Sequence, residues 1–179
     1  MQEAKISLID YPTEADWLAV KDRALITIGK RAKTLPTMEW KKKILNARHS
    51  PIRRLNFSFL LEDIPSWVSV HLVRHHIGIQ PYVGSQRNDR QDKYDRNAAR
   101  QDSPVTMILD MNAEALMNLA NKRLCNQASR ETRLFVKAMC ELVIEQCPEF
   151  ELFLVPMCVY HGGECHEFNS CCGQNTDLA

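Results

Sequence analysis

The chain has 179 residues, 45% hydrophobic and 25% charged, with a formal net charge of +1. This size is most simply one folded domain, and a nearly neutral charge gives no argument for binding nucleic acid or a membrane surface. No apolar run is long enough to span a membrane and the start lacks a signal-peptide core, so we expect a cytoplasmic protein. There, the seven cysteines are expected to be thiols or metal ligands rather than disulfides.

The first half of the chain predicts a mixture of short strands and helices. Thr13 and Thr37 are expected to cap two of the helices, and Gly78 with Pro81 to end the third. Alternation of apolar and polar residues marks the second strand. The predicted elements are, in order, a strand (5–9), a helix (13–29), a helix (37–44), a strand (55–60) and a helix (66–76).

The second half begins with a polar segment, 85–102, that carries four arginines and four acidic residues. It contains little glycine, serine or proline, so an ordered binding loop competes with a simple solvated surface. Residues 105–111 predict a strand or an extension of the helix that follows. The remaining predicted elements are helices over 113–125 and 131–146 and a tail from 157 onward.

An arginine near the end of the helix over 113–125 lies on its apolar side. At 100° per residue, Arg123 falls in the same arc as the alanine, leucine and methionine residues of that helix. A buried guanidinium is costly unless a carboxylate or a ligand anion meets it. Two interpretations follow: a structural ion pair inside the protein, or a binding site for an anionic ligand.

A second cationic cluster lies on the third predicted helix. His71, Arg74 and His75 are spaced i, i+3 and i+4, so they share one face near its C-terminus. They either compensate the helix dipole or bind an anion. A zinc protease of the H-E-x-x-H type is excluded because leucine follows His71. With Ser85 and Arg87 close behind, a phosphate site is the better functional interpretation.

The end of the chain is rich in cysteine, glycine and histidine. Soft ligands at this density predict a metal site, with zinc as the first choice and an iron–sulfur cluster as the alternative. Reduced thiols without a ligand are the remaining explanation. The candidate ligands are Cys158, His161, Cys165, Cys171 and Cys172. Cys125, Cys140 and Cys147 lie on predicted helices or helix ends and are expected to pack in the core.

Four sequence islands, in order, resemble the flavin-dependent thymidylate synthases, the ThyX family, over roughly residues 47–147. The first island is His49–Phe59, similar to the family's H-E-(S/T)-P-F-E-H-x-x-F-T-F, and the second is Arg74-His75-His76 with Ser85 and Arg87, similar to R-H-R-x7-S. The third is Ala99-Arg100 with Pro104, similar to A-R-x-x-L-P. The fourth is Asn112–Arg133, similar to N-A-R-S-L-x-N-x-x-x-x-R with A-Q-x-E-I-R. The fourth island is the most specific because it preserves several spacings without a gap.

The resemblance implies a pyrimidine nucleotide as substrate. Arg123 corresponds to the arginine that faces the pyrimidine ring and stabilises negative charge at its N3/O2 edge, which makes it the catalytic candidate. Ser85, Arg87 and Arg100 correspond to residues that hold the phosphate and the sugar. The implied substrate-binding set is His71, Arg74, Ser85, Gln86, Arg87, Arg100 and Arg123.

The resemblance also implies FAD as cofactor, but this half of the pattern is less well preserved. The implied flavin-binding set is Ser50, Arg74, His75, His76, Asn112, Glu114 and Asn118. Glu114 stands where the family has a flavin-binding arginine, and Arg53 stands where it has a glutamate. His71 replaces a glutamine, and the signature glutamate is absent from the segment 80–84. Exchanging a carboxylate for a cation inverts what a site binds.

The function that the resemblance implies is C5 methylation of dUMP with reduced FAD, methylenetetrahydrofolate as carbon donor and NADPH as reductant. In that family no enzyme cysteine attacks the ring, and the flavin carries the difficult chemistry. A related C5 modification of a pyrimidine deoxynucleotide, such as hydroxymethylation, and a non-catalytic nucleotide-binding homologue are the alternatives.

The implied fold class is α+β, with a small sheet covered by helices. We expect a ThyX-like domain over residues 1–156 and a Cys/His-rich tail over 157–179. The resemblance implies a homotetramer whose sites lie between subunits. Nucleic acid and membrane are not expected as partners.

Overall fold

The computed structural model describes residues 4–87, 89, 95, 97–168 and 171–172. Its architecture is α+β, as expected. The strands are β1 (Lys5–Asp10), β2 (Asn56–Pro65), β3 (Ile79–Val83) and β4 (Pro104–Asn112). The helices are α1 (Glu14–Ile26), α2 (Met38–Asn46), α3 (Ser66–Val73), α4 (Ala113–Arg123), α5 (Arg130–Gln146) and α6 (Met157–Tyr160), with short 3-10 helices at Ser50–Arg54 and Pro148–Phe150.

The four strands form one antiparallel sheet in the order β1-β2-β4-β3. Alternation along β2 and β4 sends every second side chain into the core, because successive residues of a strand point to opposite faces. The core-facing residues of these two central strands include Phe57, Phe59, Leu61, Met107, Leu109 and Met111. The opposite face is partly exposed, with Ile108 at 37% and Tyr82 at 60% exposure.

The helices cover the buried face and begin where the sequence predicts. Thr13 caps α1 through a capping box with Asp16, and Thr37 caps α2 by accepting the Trp40 amide. Ser129 caps α5 in the same way. Satisfying these first-turn amides fixes where each helix starts. Within the described part of the chain, no helix is long and apolar enough to cross a membrane.

Two predicted elements need correction. The helix after Ser66 ends at Val73 rather than near His76. The segment 79–83, interpreted as a break, is edge strand β3, which tolerates Pro81 because an edge strand leaves part of its backbone unpaired. The segment before α4 is a strand, which is one of the two alternatives that the sequence left open.

Strand β4 passes directly into α4 at Asn112, and Gly78 allows the close approach there. The Asn112 side chain accepts the Ala115 amide, while the Asn112 amide donates to the Gly78 carbonyl at 3.0 Å. Gly78 has a φ of +75°, and a Cβ on it would lie 2.5 Å from the Asn112 side-chain nitrogen. Only glycine fits this position without displacing the helix cap.

We predict that Gly78→Ala destabilises the protein more than Gly29→Ala. Gly29 has a similar φ of +72°, but a Cβ there would meet no atom within 4 Å. Both changes add the left-handed backbone strain of about 1–2 kcal/mol. Only Gly78→Ala adds overpacking against Asn112, a further cost of roughly 1–3 kcal/mol. Urea denaturation of the two variants and wild type measures the difference, and equal losses would contradict the proposed contact.

Candidate functional site

Arg123, the last residue of α4, contacts the C-terminal end of α3. Its Nε donates to His75 Nε2 at 2.8 Å, and one terminal nitrogen donates to the His71 backbone carbonyl at 3.3 Å. In the part of the chain that the structure describes, no ion pair joins Arg123 to a carboxylate. Its two hydrogen-bond partners are uncharged, so the structural ion pair considered from the sequence is not formed. The guanidinium keeps its positive charge for a ligand.

The electrostatics of this cluster favour neutral histidines around a charged arginine. Burial, together with the Arg123 cation, lowers the pKa of His75 below the usual histidine range. His71, which is hydrogen-bonded to Thr132, also has a lowered pKa, because of burial and then of Arg123 and Arg74. Since His75 accepts a hydrogen bond at Nε2, its neutral form carries the proton on Nδ1.

Arg123 lines a pocket of about 280 Å³. The lining residues are His75, Lys122, Arg123, Cys125, Gln127, Ala128 and Glu167. Two cationic side chains and the polar groups of a histidine and a glutamine suit an anionic or carbonyl-rich ligand. Glu167, from the C-terminal segment, forms an ion pair with Lys122 at 3.2 Å.

The residues expected to hold a phosphate lie on the connection between β3 and β4. Arg87 forms an ion pair with Asp89, and Arg100 with Asp102 through two hydrogen bonds of 2.9 and 3.3 Å. Neither arginine lines the Arg123 pocket of the same chain. Positions 88, 90–94 and 96 of this polar segment lie outside the described residues.

The first residues of this connection after Gly84 are partly buried. Ser85 and Gln86 follow β3, and the side-chain nitrogen of Gln86 is buried without a hydrogen-bond partner among the described residues. A buried amide donor of this kind is costly when it stays unsatisfied. It is therefore a group that a ligand oxygen would stabilise.

The N-terminal end of α4 brings the two charge-reversed positions into contact. Arg53 Nε donates to Glu114 Oε2 at 2.5 Å, and the second contact of the pair is 3.4 Å. This bond raises the pKa of Arg53. The two positions that depart from the pattern of the resemblance are therefore paired with each other, with the cation at Arg53 and the carboxylate at Glu114. Ser50 is exposed at the start of the same 3-10 helix as Arg53.

Three other predicted flavin residues have hydrogen-bond partners within the chain. The Asn112 side chain caps α4, and His76 contacts the Arg74 carbonyl at 3.2 Å. Asn118 accepts a hydrogen bond of 2.5 Å from Arg48, a residue that sequence reasoning missed. Arg48 also donates to buried Asn121 and lies 4.6 Å from the centre of the Tyr160 ring.

Arg48 could not be found from the sequence because its partners are distant along the chain. Its φ of +47° is unusual for a residue with a side chain. Asn121, which it contacts, donates to the carbonyls of Phe153 and Val155. These hydrogen bonds attach the beginning of the C-terminal segment to α4. The part of the segment that lines the Arg123 pocket therefore follows a fixed attachment point.

A larger concavity of about 560 Å³ lies on the open side of the sheet near Asn112. Asp10, Ser58 and Asp110 line it, and Ser58 donates to the Asp110 carboxylate. Asp10 and Asp110 are the strand partners of Ser58 on either side. Two carboxylates favour a neutral or cationic group there and disfavour phosphate.

The predicted metal site is not formed in the part of the chain that the structure describes. Among the described residues, no three histidine, cysteine, aspartate or glutamate side chains are arranged to hold a metal ion. His161 instead packs against the rings of Tyr160 and His166, at 5.4 and 5.0 Å. The proposed set of Cys158, His161, Cys165, Cys171 and Cys172 is therefore not arranged to hold zinc or an iron–sulfur cluster. Residues 169–170 and 173–179 of the tail lie outside the described part.

The cysteines of the helices behave differently from one another. Cys140 and Cys147 pack in the core as expected, and burial raises the pKa of each thiol to about 12. Cys125 is also buried, yet it faces Cys158, Cys165 and the tail rather than the core cluster. The prediction that Cys125 is a packing residue is therefore confirmed, and its neighbours are residues of the tail.

The family described as "Thymidylate synthase complementing protein" has a sequence model that matches residues 96–149. This range contains β4, α4 and the whole of α5, and it includes Arg100 and Arg123. The resemblance inferred from the four islands is confirmed there. No curated protein matches the sequence significantly.

The fold resembles a solved structure, the crystal structure of a UMP/dUMP methylase, PolB, from Streptomyces cacaoi bound with 5-Br dUMP. The two superpose with a TM-score of 0.67, over 86% of this chain and 97% of the other, at 16% sequence identity. The expected α+β fold is therefore confirmed. At this identity the likeness concerns the fold alone.

We predict that lowering the pH destabilises the Arg123 cluster through His75. As pH falls below the ordinary histidine value of about 6.5, the unfolded chain takes up a proton that folded His75 resists. The free energy of unfolding then decreases until the lowered pKa of His75 is reached. His75→Gln keeps an acceptor for Arg123 without titrating, so this variant should lose less stability.

Urea denaturation at pH 7.5 and 5.5 measures this effect. The control is His49→Gln, since His49 is exposed and lies outside the cluster. The control should lose as much stability as wild type. If His75→Gln also loses as much, the neutral-histidine assignment is incorrect.

Proposed function

We propose that the protein binds a pyrimidine deoxynucleoside monophosphate, dUMP, and modifies its C5 position. The observation that carries the proposal is the partly buried Arg123 cation, which has a pocket before it and no carboxylate partner among the described residues. Negative charge that develops at the N3/O2 edge of a uracil ring during attack at C5 would be stabilised by a guanidinium held in this way. The family match over residues 96–149 supports the same substrate class.

The phosphate of the nucleotide would be held by Ser85, Gln86, Arg87 and Arg100. These residues lie on the β3–β4 connection, away from the Arg123 pocket of the same chain. We therefore propose that a complete site forms between subunits, in the homotetramer that the resemblance implies. Arg123 and His75 of one subunit would then meet the connection of its neighbour.

The N-terminal end of α4 is the proposed flavin site. The Arg53–Glu114 pair keeps one cation and one carboxylate at the two positions where the family has them reversed. The Arg53 side chain is 58% exposed and can approach an anionic cofactor from the 3-10 helix. The donor set therefore fits FAD with a changed orientation. When bound, reduced FAD would supply the hydride for methylation, with methylenetetrahydrofolate as carbon donor and NADPH as reductant.

Arg123→Ala is expected to weaken dUMP binding by about 2 kcal/mol or more, because a charged hydrogen bond is lost from a desolvated site. That is a loss of at least roughly 30-fold in affinity. Arg130→Ala, at the exposed first position of α5, is the matched control and should bind like wild type. Calorimetric titration with dUMP measures both. Equal affinities of the two variants would refute the role of Arg123.

The reaction itself is tested by release of tritium from C5-labelled dUMP, with FAD, NADPH and methylenetetrahydrofolate present. Release with formation of dTMP supports methylation, and release with another product supports a related C5 modification such as hydroxymethylation. Binding of dUMP without release under any of these conditions would identify a non-catalytic nucleotide-binding protein.

Exchange of Arg53 and Glu114 tests the flavin site. Glu114→Arg alone places two guanidinium groups together and removes a carboxylate from the first turn of α4, where the helix dipole favours it. We expect this variant to be less stable than wild type. Arg53→Glu combined with Glu114→Arg restores the pair with the family's orientation, and should regain stability and bind FAD more tightly than wild type.

Quenching of FAD fluorescence and thermal unfolding measure the outcome for both single variants and the double variant. If the double variant binds FAD more weakly than wild type, the reversed pair is not part of a flavin site. If the double variant loses as much free energy of unfolding as the two single variants lose together, the two residues are not coupled.

A further inference from the structure

Five of the seven cysteines converge at the end of α4. Cys125 follows α4, Cys158 lies on α6, and Cys165, Cys171 and Cys172 belong to the tail. Cys125, Cys158, Cys165 and Cys172 line one small cavity, together with His166 and Glu167. The Cys165 thiol is hydrogen-bonded to the Cys171 thiol. None of the seven cysteines is in a disulfide.

The tail thiols lie directly behind the Arg123 pocket. Cys125, Gln127 and Glu167 belong both to the wall of the thiol cavity and to the wall of that pocket. Glu167 is two residues after Cys165, and its backbone amide is hydrogen-bonded to the Cys165 thiol. Its carboxylate forms the ion pair with Lys122, next to Arg123. Glu167 therefore connects Cys165 to the wall of the Arg123 pocket.

We propose that Cys165 and Cys171 are a site of reversible oxidation, at which a disulfide fixes Glu167 in the Arg123 pocket. Exposed Cys171 attacks a low-molecular-weight disulfide such as oxidised glutathione, and one thiol of that reagent leaves. Cys165 then displaces the second, so the protein loses two protons and two electrons and the oxidant becomes two thiols. Regulatory disulfides of this transient kind occur in reducing compartments.

A disulfide suits this cluster better than a metal ion. The side chains are not arranged to hold an ion in the described part of the chain, whereas one pair of thiols is already in contact. Cys171 is exposed, so an oxidant reaches it without unfolding. Closing a ring that contains Glu167 restricts the segment, because a cross-link removes conformations from it.

The consequence for binding rests on the proposed function. Glu167 places a carboxylate among Lys122, Arg123 and His75, where a nucleotide would bring its own negative or carbonyl groups. An anionic ligand must displace this carboxylate from Lys122. With the tail reduced, Glu167 can move away, whereas the disulfide holds it in place. Oxidation should therefore lower the affinity for dUMP, by about 5-fold or more.

The disulfide itself is tested on the full chain treated with oxidised glutathione or with a reducing agent. We expect the oxidised protein to be two hydrogens lighter and peptide mapping to join Cys165 to Cys171. Cys171→Ser should abolish this product. Cys172→Ser is the matched control, since Cys172 is the adjacent exposed thiol, and should still form it. A disulfide from another pair, or zinc at one ion per chain in untagged protein, would overturn the proposal.

Two measurements test how oxidation affects Glu167 and the binding of dUMP. Hydrogen exchange of the peptide that contains Glu167 should slow on oxidation in wild type and in Cys172→Ser, but not in Cys171→Ser. The affinity for dUMP should fall on oxidation in wild type but not in Glu167→Gln. Glu164→Gln, an exposed residue that pairs with His166, should respond like wild type.

The failures of the two proposals are distinguishable. If reduced wild type does not bind dUMP, the proposed function fails, while the mass and the exchange still decide whether the disulfide forms and fixes Glu167. If dUMP binds equally to both redox states, or exchange is unchanged by oxidation, the coupling through Glu167 is wrong.

Discussion

Strand β4 runs into helix α4 without a connecting loop, and the rest of the structure depends on this junction. Asn112 pairs as the last residue of the strand, caps the helix and approaches Gly78 closely. The direction of α4 is therefore set by the sheet. At 1.5 Å per residue, the helix separates the ion pair at Glu114 from Arg123 by roughly 14 Å. One rigid element thus carries the proposed flavin and base residues at its two ends.

The polar groups around Arg123 do not include a carboxylate partner, so a structural ion pair does not account for its position among the described residues. A cation in a partly buried position is ordinarily neutralised by a carboxylate. Here the direct partners are a histidine and a carbonyl, and the nearest acidic side chain in the pocket wall, Glu167, is paired with Lys122. Burial, together with Arg74, lowers the pKa of Arg123, so the charge is held at a cost that a ligand anion would relieve.

The sequence predicted those parts of the fold that depend on local physics. Capping residues located two helix starts, at Thr13 and Thr37, and alternation located β2. Strand β3 was missed because Gly78 and Pro81 mark breaks in a local reading, while its pairing depends on distant β4. The same limit applies to the site. Helical periodicity, which is local, was enough to identify Arg123. Arg48 and Glu167 were not identified, because their partners lie far away in the chain.

The contact between Arg53 and Glu114 has a consequence for how sequences of this type can diverge. The two residues are 61 positions apart, and each is a departure from the family pattern when considered alone. Together, Arg53 and Glu114 have a net charge of zero, as a pair with the opposite orientation would. A lineage that reversed one position first would have passed through a form with two like charges at the start of α4. Sequences near this one should therefore carry opposite signs at these positions in either order, and the pair should covary in an alignment even though neither position is constant.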